Sequence, residues 1–311
     1  MNDKDRVAVC SRSFSANEEL RREILSRYKH VKFNDDGLSL VGDTLANFLN
    51  GCDKVIIGLE KINEDLLKKV PSLKVVSKYG VGIDMIDLKS MKKHQVKLGW
   101  KGGVNRRAVS ELALCFAISL LRHVPKASSE VKEGQWKQHK GNLLTGKTFG
   151  LIGFGNIGRD VANLLEPFDC KLLVYDINKT KLEDAKLNIH FVDLTFLLKE
   201  SDIVSLHLPL NEATSNIIDK NSFEMMKEHA ILINLSRGGL VDENALKNAL
   251  QKNQIKAAAF DVFAEEPPLD VDLLTNENLL PTPHIGGLAK ESILAMGYAA
   301  IDGLDENSLV K

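Results

Sequence analysis

Short apolar, β-branched stretches alternate along the first hundred residues with stretches whose apolar positions recur at helical spacing. Strand-like runs occupy residues 6–11, 54–59 and 74–80, and helical spacing runs over 17–28 and 86–95. Asn17 stands where the first helix needs an N-cap. Alternation of this kind is typical of a parallel sheet crossed by helices, so the pattern predicts an α/β domain.

The alternation restarts after residue 100. A long helix is predicted over 104–124, with Val109, Leu112, Ala113 and Phe116 on one stripe, and the polar stretch 128–142 is predicted to lie on the surface. Five strand-led units and a last helix follow, at 148–158, 171–176, 202–208, 230–238, 256–263 and 290–304. A second α/β domain is therefore expected, as 311 residues at roughly 150 per domain also suggest.

Composition narrows the functional classes. Forty-one basic and 42 acidic residues nearly cancel, which argues against a nucleic-acid surface or a polybasic membrane handle. The longest charge-free apolar run, 112–121, is shorter than a membrane helix, and the N-terminus resembles no signal peptide. Four scattered cysteines favour neither a disulfide framework nor a metal site. We expect a cytoplasmic protein with no membrane or nucleic-acid partner and no further module after the last helix.

A glycine-rich turn follows the apolar strand that ends at Ile152. Gly153, Gly155 and Gly158 permit a tight turn, close approach of a pyrophosphate, and close helix–strand packing. Asn156 and Ile157 open the following helix, whose first N–H groups favour anions. A simple glycine-rich turn is the alternative.

Asp176 ends the next strand, eighteen residues after Gly158. A carboxylate near this spacing hydrogen-bonds a ribose 2′-hydroxyl and repels a 2′-phosphate, so NAD is favoured over NADP. An ordinary strand-end Asp is the alternative. Lys179 leaves dual NAD and NADP use open, because it would offset part of the negative charge.

Three later segments carry polar residues on apolar scaffolds. Arg237 follows a buried strand, Asp261 and Glu266 lie five residues apart, and His284 stands between Pro283 and a glycine pair. A guanidinium binds carboxylates bidentately, and a carboxylate beside an imidazole favours its charged form. Taken singly, each is equally compatible with a surface arginine, an acidic loop or a structural histidine.

Together these motifs resemble the D-isomer-specific 2-hydroxyacid dehydrogenase family, and among its members most closely the D-3-phosphoglycerate dehydrogenases of serine biosynthesis. The resemblance runs in the family's order over nearly the whole chain, through YGVGIDMID, GFGNIG, HLPL, NLSRGGLVDE, DVFAEEP and PHIGG. It implies two doubly wound parallel-sheet domains, Rossmann-like or flavodoxin-like, with an interdomain cleft. The substrate domain would comprise 1–101 plus 285–311, and the NAD-binding domain 102–284. A homodimer formed through the long helix is also implied.

The resemblance also assigns roles. Arg237 would bind the substrate carboxylate, His284 would be the acid/base, and Glu266 would hydrogen-bond His284. Asp261 would hold the nicotinamide carboxamide. Further cofactor contacts are implied at Leu208, Leu235, Ser236, Arg237, His284, Gly286 and Gly287, whereas His207 is interpreted as structural.

The substrate loop of the family matches the stretch around YGVG. Lys78, Tyr79, Gly80, Val81 and Gly82 are the implied substrate residues, with the N–H groups of Val81 and Gly82 forming an anion nest. A plain glycine turn is the alternative for this loop.

The identity of the 2-hydroxy or 2-oxo acid stays open. Lys78, Lys101, Arg106 and Arg107 are candidate phosphate ligands, although solvated surface cations fit as well. Lys78 stands where the family often has Arg, and Trp100 departs from its usual hinge and would either narrow the pocket or pack there. Both departures leave glyoxylate or hydroxypyruvate reduction as the alternative to phosphoglycerate oxidation.

Two further functions are less consistent with the sequence than a 2-hydroxyacid dehydrogenase. A formate or phosphite dehydrogenase is disfavoured because formate-type relatives usually pair a Gln with the histidine. An NAD(H)-sensing corepressor would bind the cofactor without turnover and would need a protein partner.

Overall fold

The computed structural model describes residues 1–178 and 188–310 and divides into two compact units. One unit is Met1–Asn105 with Ala289–Lys311, and the other is Arg106–Leu288. We call them the first and second unit. The boundaries drawn from sequence lie four residues earlier at both junctions, so Gly286 and Gly287 fall in the second unit, together with His284. Lys179 lies outside the described residues.

The elements follow in chain order. The first unit begins with strands β1 (Asn2–Val9), β2 (Tyr28–Phe33), β3 (Lys54–Ile57), β4 (Val75–Lys78) and β5 (Lys97–Gly99), and helices α1 (Arg12–Ser15), α2 (Glu18–Arg27), α3 (Gly42–Leu49), α4 (Glu64–Lys69) and α5 (Leu88–Lys93).

The second unit contains the next seven strands and seven helices of the described chain. Its strands are β6 (Thr148–Ile152), β7 (Lys171–Tyr175), β8 (Ile189–Phe191), β9 (Ile203–Leu206), β10 (Ile231–Asn234), β11 (Ala257–Phe260) and β12 (Leu279–Pro281). Its helices are α6 (Arg106–Leu121), α7 (Val124–Lys132), α8 (Asn156–Leu165), α9 (Leu194–Glu200), α10 (Lys220–Met225), α11 (Glu243–Gln251) and α12 (Val271–Leu274), with 3₁₀ turns at Glu166–Phe168 and Gly238–Leu240. The chain then returns to the first unit with α13 (Lys290–Asp302) and β13 (Ser308–Leu309).

The sheet of the first unit has the order β2-β1-β3-β4-β5-β13 among the described residues. Its pairs are parallel except β13 with β5. The order 2-1-3-4-5 is that of flavodoxin-like sheets. Asn17 caps α2, accepting from the amides of Glu19 and Leu20, as predicted.

The sheet of the second unit has the order β8-β7-β6-β9-β10-β11-β12 among the described residues, and all its pairs are parallel. Counted within the unit, this is the Rossmann order 3-2-1-4-5-6 extended by one strand. Apolar side chains from both faces of the sheet pack under helices, and the stripe residues Val109, Ala113 and Phe116 of α6 are buried as predicted. The predicted fold of two doubly wound α/β domains is confirmed.

Helix α7 was not predicted from the sequence, which indicated only a surface stretch over 128–142. The stretch 128–142 is exposed, as expected, but its first residues are helical up to Lys132. The helix buries none of its residues, so no apolar stripe marked it, and Pro125 at its start is the remaining sequence signal.

In the part of the chain that the structure describes, no single helix is long and apolar enough to cross a membrane. Helices α6 and α7 pass a length and composition test only as a pair, bent by 64°.

Candidate active site

The strands of the second unit end level with one another, which sets the position of every candidate residue there. Ile152 pairs with Tyr175 and Leu206, and Asn234 and Phe260 continue the same row across the sheet. Main-chain hydrogen bonds extend it one residue further, from Gly153 N to Tyr175 O, and from Asp261 N to Asn234 O. We call this edge of the sheet the carboxyl edge. It carries, on successive strands, the residues that follow: Asp176, Gly153, His207, Leu235, Asp261 and Thr282.

The glycine turn after β6 is shaped so that side chains would not fit. A Cβ on Gly153 would lie 2.5 Å from the carbonyl oxygen of His207, and one on Gly158 would lie 2.3 Å from the carbonyl oxygen of Gly153. Gly153 also has a left-handed φ of 98°. A Cβ on Gly155 would meet nothing within 4 Å. The turn therefore packs closely underneath and leaves its outer side open.

Helix α8 begins directly after this opening, with Gly155 as its N-cap. Its first intrahelical bond runs from Arg159 N to Gly155 O. The N–H groups of Asn156, Ile157 and Gly158 are thus the first-turn donors that a helix leaves without intrahelical partners. These amides and the helix dipole make the turn a cradle for a phosphate group.

Asp176 is half-buried and held from both sides. Its Oδ2 accepts a 2.6 Å hydrogen bond from Phe154 N in the glycine turn, and its Oδ1 accepts one of 2.7 Å from Asn178 N. The carboxylate is thereby fixed beside the cradle while keeping lone pairs for a further donor.

Two residues of the HLPL motif border the same turn. Leu208 is half-buried, and its Cδ2 would lie 2.9 Å from a Cβ on Gly153. His207 has both ring nitrogens buried and without a hydrogen-bond partner among the described residues. Burial lowers the pKa of His207 to about 3, so this imidazole is neutral at physiological pH.

Arg237 stands on a turn that its neighbours hold closed. Asn234 accepts from Ser236 N through Oδ1 and donates from Nδ2 to Arg237 O at 2.8 Å. Ser236 Oγ donates to Leu206 O on the neighbouring strand, and Leu235 and Ser236 are buried. The guanidinium donates from Nη1 to Ser236 O at 2.6 Å. Asn234 was missed in the sequence, although an Asn at a strand end before a turn is a known signal.

Gly238 brings the Arg237 turn against the loop that carries Glu266. A Cβ on Gly238 would lie 1.9 Å from the carbonyl carbon of Phe263 and 2.1 Å from Ala264 N. Only a glycine permits the two backbones to lie this close.

Glu266 and His284 form a hydrogen-bonded pair, with Nδ1 of His284 2.8 Å from Oε2 of Glu266. A carboxylate only accepts, so Nδ1 carries the proton and Nε2 is the position left for proton exchange. The other carboxylate oxygen, Oε1, accepts from Phe263 N at 3.1 Å. Both side chains remain about half exposed, 52% for His284 and 40% for Glu266. The pair is therefore oriented and still open to a reactant.

Asp261 holds the backbone on either side of His284. Its Oδ1 accepts from Ile285 N at 2.8 Å and from the hydroxyl of Thr282, and its Oδ2 accepts from Gly286 N at 2.7 Å. His284 N donates to the Asp261 carbonyl, and His284 has a left-handed φ of 54°. The backbone N–H groups thus wrap the buried carboxylate as an anion nest. Gly287 is half-buried in the turn that follows.

A cavity of about 430 Å³ adjoins the His284–Glu266 pair. Its lining includes Asp261, Thr282, four prolines, Phe263 and Leu274, so it is largely apolar and contains no basic residue besides His284. Among the described residues no group of three or more His, Cys, Asp or Glu side chains is placed to hold a metal ion.

The substrate-loop residues lie in the first unit, after β4. Lys78 and Tyr79 are buried, and Gly80, Val81 and Gly82 are half-buried. Gly80 has a left-handed φ of 111°, and Trp100 Nε1 donates to Val81 O at 2.9 Å. Trp100 is exposed and contacts the substrate loop through this hydrogen bond. Of the other candidate cations, Arg107 pairs with buried Asp160 in the second unit at 2.9 Å.

Comparisons with known proteins agree with this geometry. The family model described as "D-isomer specific 2-hydroxyacid dehydrogenase, NAD binding domain" matches residues 114–286. A hydroxypyruvate reductase of Thermotoga maritima is 36% identical over 84% of this chain and 86% of its own length. A D-3-phosphoglycerate dehydrogenase of Methanocaldococcus jannaschii is 37% identical over 76% of this chain, which spans 46% of that protein. The crystal structure of the TT0316 protein from Thermus thermophilus superposes with a TM-score of 0.86 at 29% identity, covering 96% of this chain and 95% of its own.

The cofactor of this family is NAD, and the second unit fits it. The open side of Gly155, the first-turn amides of α8 and the fixed carboxylate of Asp176 are the features that a pyrophosphate and an unphosphorylated ribose need. The matched segment and the relatives establish the class of the enzyme: the chain belongs to the D-isomer-specific 2-hydroxyacid dehydrogenases, NAD-dependent enzymes that act on CH–OH donors.

Proposed function

We propose that this chain interconverts a small, unphosphorylated 2-oxo acid and its D-2-hydroxy acid, with hydroxypyruvate as the preferred oxo substrate. The observation that carries the proposal is the Glu266–His284 pair, fixed at the carboxyl edge that also bears the dinucleotide cradle. Bound NADH supplies the hydride. The residues of the chain have to bind the acid, orient it and supply a proton.

His284 is the proton donor in this proposal. As the 2-oxo group is reduced, its oxygen takes up a proton, and Nε2 of the imidazolium is the position that can give it. Glu266 holds the ring through its hydrogen bond to Nδ1, which leaves Nε2 as the atom that can exchange a proton. General acid assistance of this kind is worth about 10²–10⁴-fold in rate.

Arg237 and the substrate loop are proposed to hold the substrate carboxylate. A guanidinium matches a carboxylate bidentately, and it also stabilises the negative charge that develops on the 2-oxygen. The hydrogen bonds of the Asn234 side chain to Ser236 N and Arg237 O, and the close contact of Gly238 with Phe263, keep the arginine turn in place. Main-chain N–H groups of Val81 and Gly82 are the proposed second contact for the carboxylate.

The preference for hydroxypyruvate is supported by the share of this chain that aligns with each relative. The Thermotoga hydroxypyruvate reductase aligns over 84% of this chain, and the Methanocaldococcus phosphoglycerate dehydrogenase over 76%. Oxidation of D-3-phosphoglycerate, with a place in serine biosynthesis, is the second candidate. The 37% identity to the Methanocaldococcus enzyme and the exposed cation Lys101 favour it.

An assay panel tests the proposal. The purified chain is given hydroxypyruvate, 3-phosphohydroxypyruvate, glyoxylate or pyruvate, each with NADH and with NADPH, and kcat/KM is measured. We expect the highest value with hydroxypyruvate and NADH. A higher value with 3-phosphohydroxypyruvate would favour the second candidate, and no turnover of any 2-oxo acid would remove the proposal.

A cytoplasmic homodimer completes the proposal. The exposed apolar side chains Ile118, Val124 and Val131 on α6 and α7 support a paired surface there. Four free cysteines support a reducing compartment. Light scattering on a gel-filtration column is expected to give twice the mass of the chain, and a monomer at micromolar concentration would contradict the dimer.

A further inference from the structure

Lys78 is a buried lysine at the end of β4, and its ammonium is turned into the protein. Its Nζ donates 2.7 Å hydrogen bonds to two main-chain carbonyls, Gly58 O after β3 and Tyr79 O in the substrate loop. The residue is only 5% exposed. A Cβ added to Gly80 would lie 2.9 Å from Nζ. The ammonium therefore lies next to Gly80 in the substrate loop, and its hydrogen bonds link this loop to Gly58 at the end of β3.

The rest of the loop is held in a similar manner from other directions. Trp100 Nε1 donates to Val81 O, two residues after the carbonyl bound by Lys78. The ring of Tyr79 packs edge-on against Phe14, with centroids 5.4 Å apart. Two carbonyls of the loop, those of Tyr79 and Val81, are thus each bound by a side-chain donor.

We propose that Lys78 holds the substrate loop in shape instead of binding the substrate, so that it gives a phosphorylated 2-oxo acid no advantage over an unphosphorylated one. Because this inference concerns the substrate of the proposed reaction, it rests on the proposed function. Lys78 is a positioning residue in this account: it acts through the carbonyls of Gly58 and Tyr79.

Charge and geometry both support this assignment. A phosphate dianion is recognised by cations whose N–H groups point at it, and at least two N–H groups of Lys78 point at carbonyls. The side chain of Glu60 lies beside the same junction, where Oε2 accepts from Gly58 N at 2.6 Å. A carboxylate at this place opposes the approach of a second anion.

The test compares two substrates in Lys78→Met and Lys78→Arg. Removing the ammonium leaves two carbonyls without their donor and loosens the loop that both substrates share. We expect kcat/KM for hydroxypyruvate and for 3-phosphohydroxypyruvate to fall by the same factor in Lys78→Met, about tenfold to hundredfold, because a displaced loop misplaces either acid. The planar guanidinium of arginine does not reproduce the single ammonium that donates to both carbonyls, so Lys78→Arg is expected to lower both values as well.

Lys74→Met is the matched control, because Lys74 precedes the same strand but is exposed and pairs with Asp53. It is expected to retain wild-type kinetics. The thermal midpoint and the NADH dissociation constant of each variant, the latter by fluorescence, report whether the fold and the second unit survive.

Three results would overturn the inference. One is a loss in Lys78→Met that is at least tenfold larger for the phosphorylated substrate. Another is a gain on that substrate in Lys78→Arg. A third applies if neither variant folds: the same unequal loss in Lys78→Gln, whose amide keeps an N–H donor at this position. Absence of turnover with either substrate would instead count against the proposed function.

Discussion

Gly286 lies two residues beyond His284, and its main-chain N–H donates a 2.7 Å hydrogen bond to Oδ2 of Asp261. Ile285 N and the Thr282 hydroxyl bind the other oxygen of the same carboxylate. The backbone that carries the imidazole is therefore fixed on both sides by one buried side chain. A defect in this arrangement would displace His284 without touching the cofactor cradle.

Thr282→Val tests that arrangement. The substitution keeps the shape of the side chain and removes one hydrogen bond to a carboxylate, so His284 is less firmly held. We expect kcat for the 2-oxo acid to fall about tenfold, the equivalent of about 1.4 kcal/mol. Thr282→Ser, which keeps the hydroxyl, is expected to stay close to wild type. An unchanged kcat in Thr282→Val would contradict the role given to this bond.

Gly238→Ala tests the contact between the Arg237 turn and the Glu266 loop. A Cβ there would lie 1.9 Å from a backbone carbon of Phe263, so one of the two loops must move. We expect kcat/KM to fall by at least 10²-fold, because small displacements of positioning groups have effects of this size. The neighbouring Gly239→Ala is the control, since its Cβ would meet only the flexible side chain of Leu210, at 3.1 Å or more. Equal activity of the two variants would refute the contact's importance.

The features of the structure differ in how far along the chain the residues that determine them are spread. The glycine turn, the Asn17 cap and the strand that precedes Arg237 follow from short-range rules, and they were predictable. The inward turn of Lys78, the Gly238 contact and the Thr282 bond depend on groups from distant parts of the chain: the backbone at Gly58, the backbone at Phe263, and the side chain of Asp261. Asn234 lies between these two cases: the turn that it forms is a local feature, but its role in holding Arg237 is visible only in the structure. Helix α7 escaped prediction since it buries no apolar stripe.

Asp176→Asn tests the choice of cofactor. The amide oxygen can still accept a hydrogen bond from Phe154 N, but the negative charge that repels a 2′-phosphate is gone. We expect the ratio of kcat/KM with NADPH to that with NADH to rise about tenfold or more. Steady-state assays at matched ionic strength measure the ratio. No change in it would show that another group sets the preference.

His207 predicts a pH dependence of stability. Its imidazole titrates near 6.5 in an unfolded chain and at about 3 in the folded one. Between these values the unfolded chain binds more protons, so the free energy of unfolding falls as the pH falls, by up to about 1.4 kcal/mol per pH unit. Above pH 6.5 the imidazole is neutral in both the folded and the unfolded chain, so His207 causes no loss of stability there.

Urea unfolding of wild type and His207→Leu at pH 7.0, 6.0 and 5.0 checks this dependence. The variant lacks the buried base, so its stability relative to wild type is expected to improve as the pH falls. Replacing exposed His190 by Leu is the control and is expected to retain the wild-type slope. Parallel slopes for His207→Leu and wild type would argue against a neutral buried imidazole.

The most direct test of the account is His284→Gln, assayed with NADH and the best 2-oxo acid of the panel. Glutamine can hydrogen-bond Glu266 but cannot donate a proton from an imidazolium. We expect kcat to fall about 10²–10⁴-fold while the dissociation constant of NADH, measured by fluorescence, stays within about threefold. A kcat within twofold of wild type would contradict His284 as the proton donor and with it the proposed mechanism.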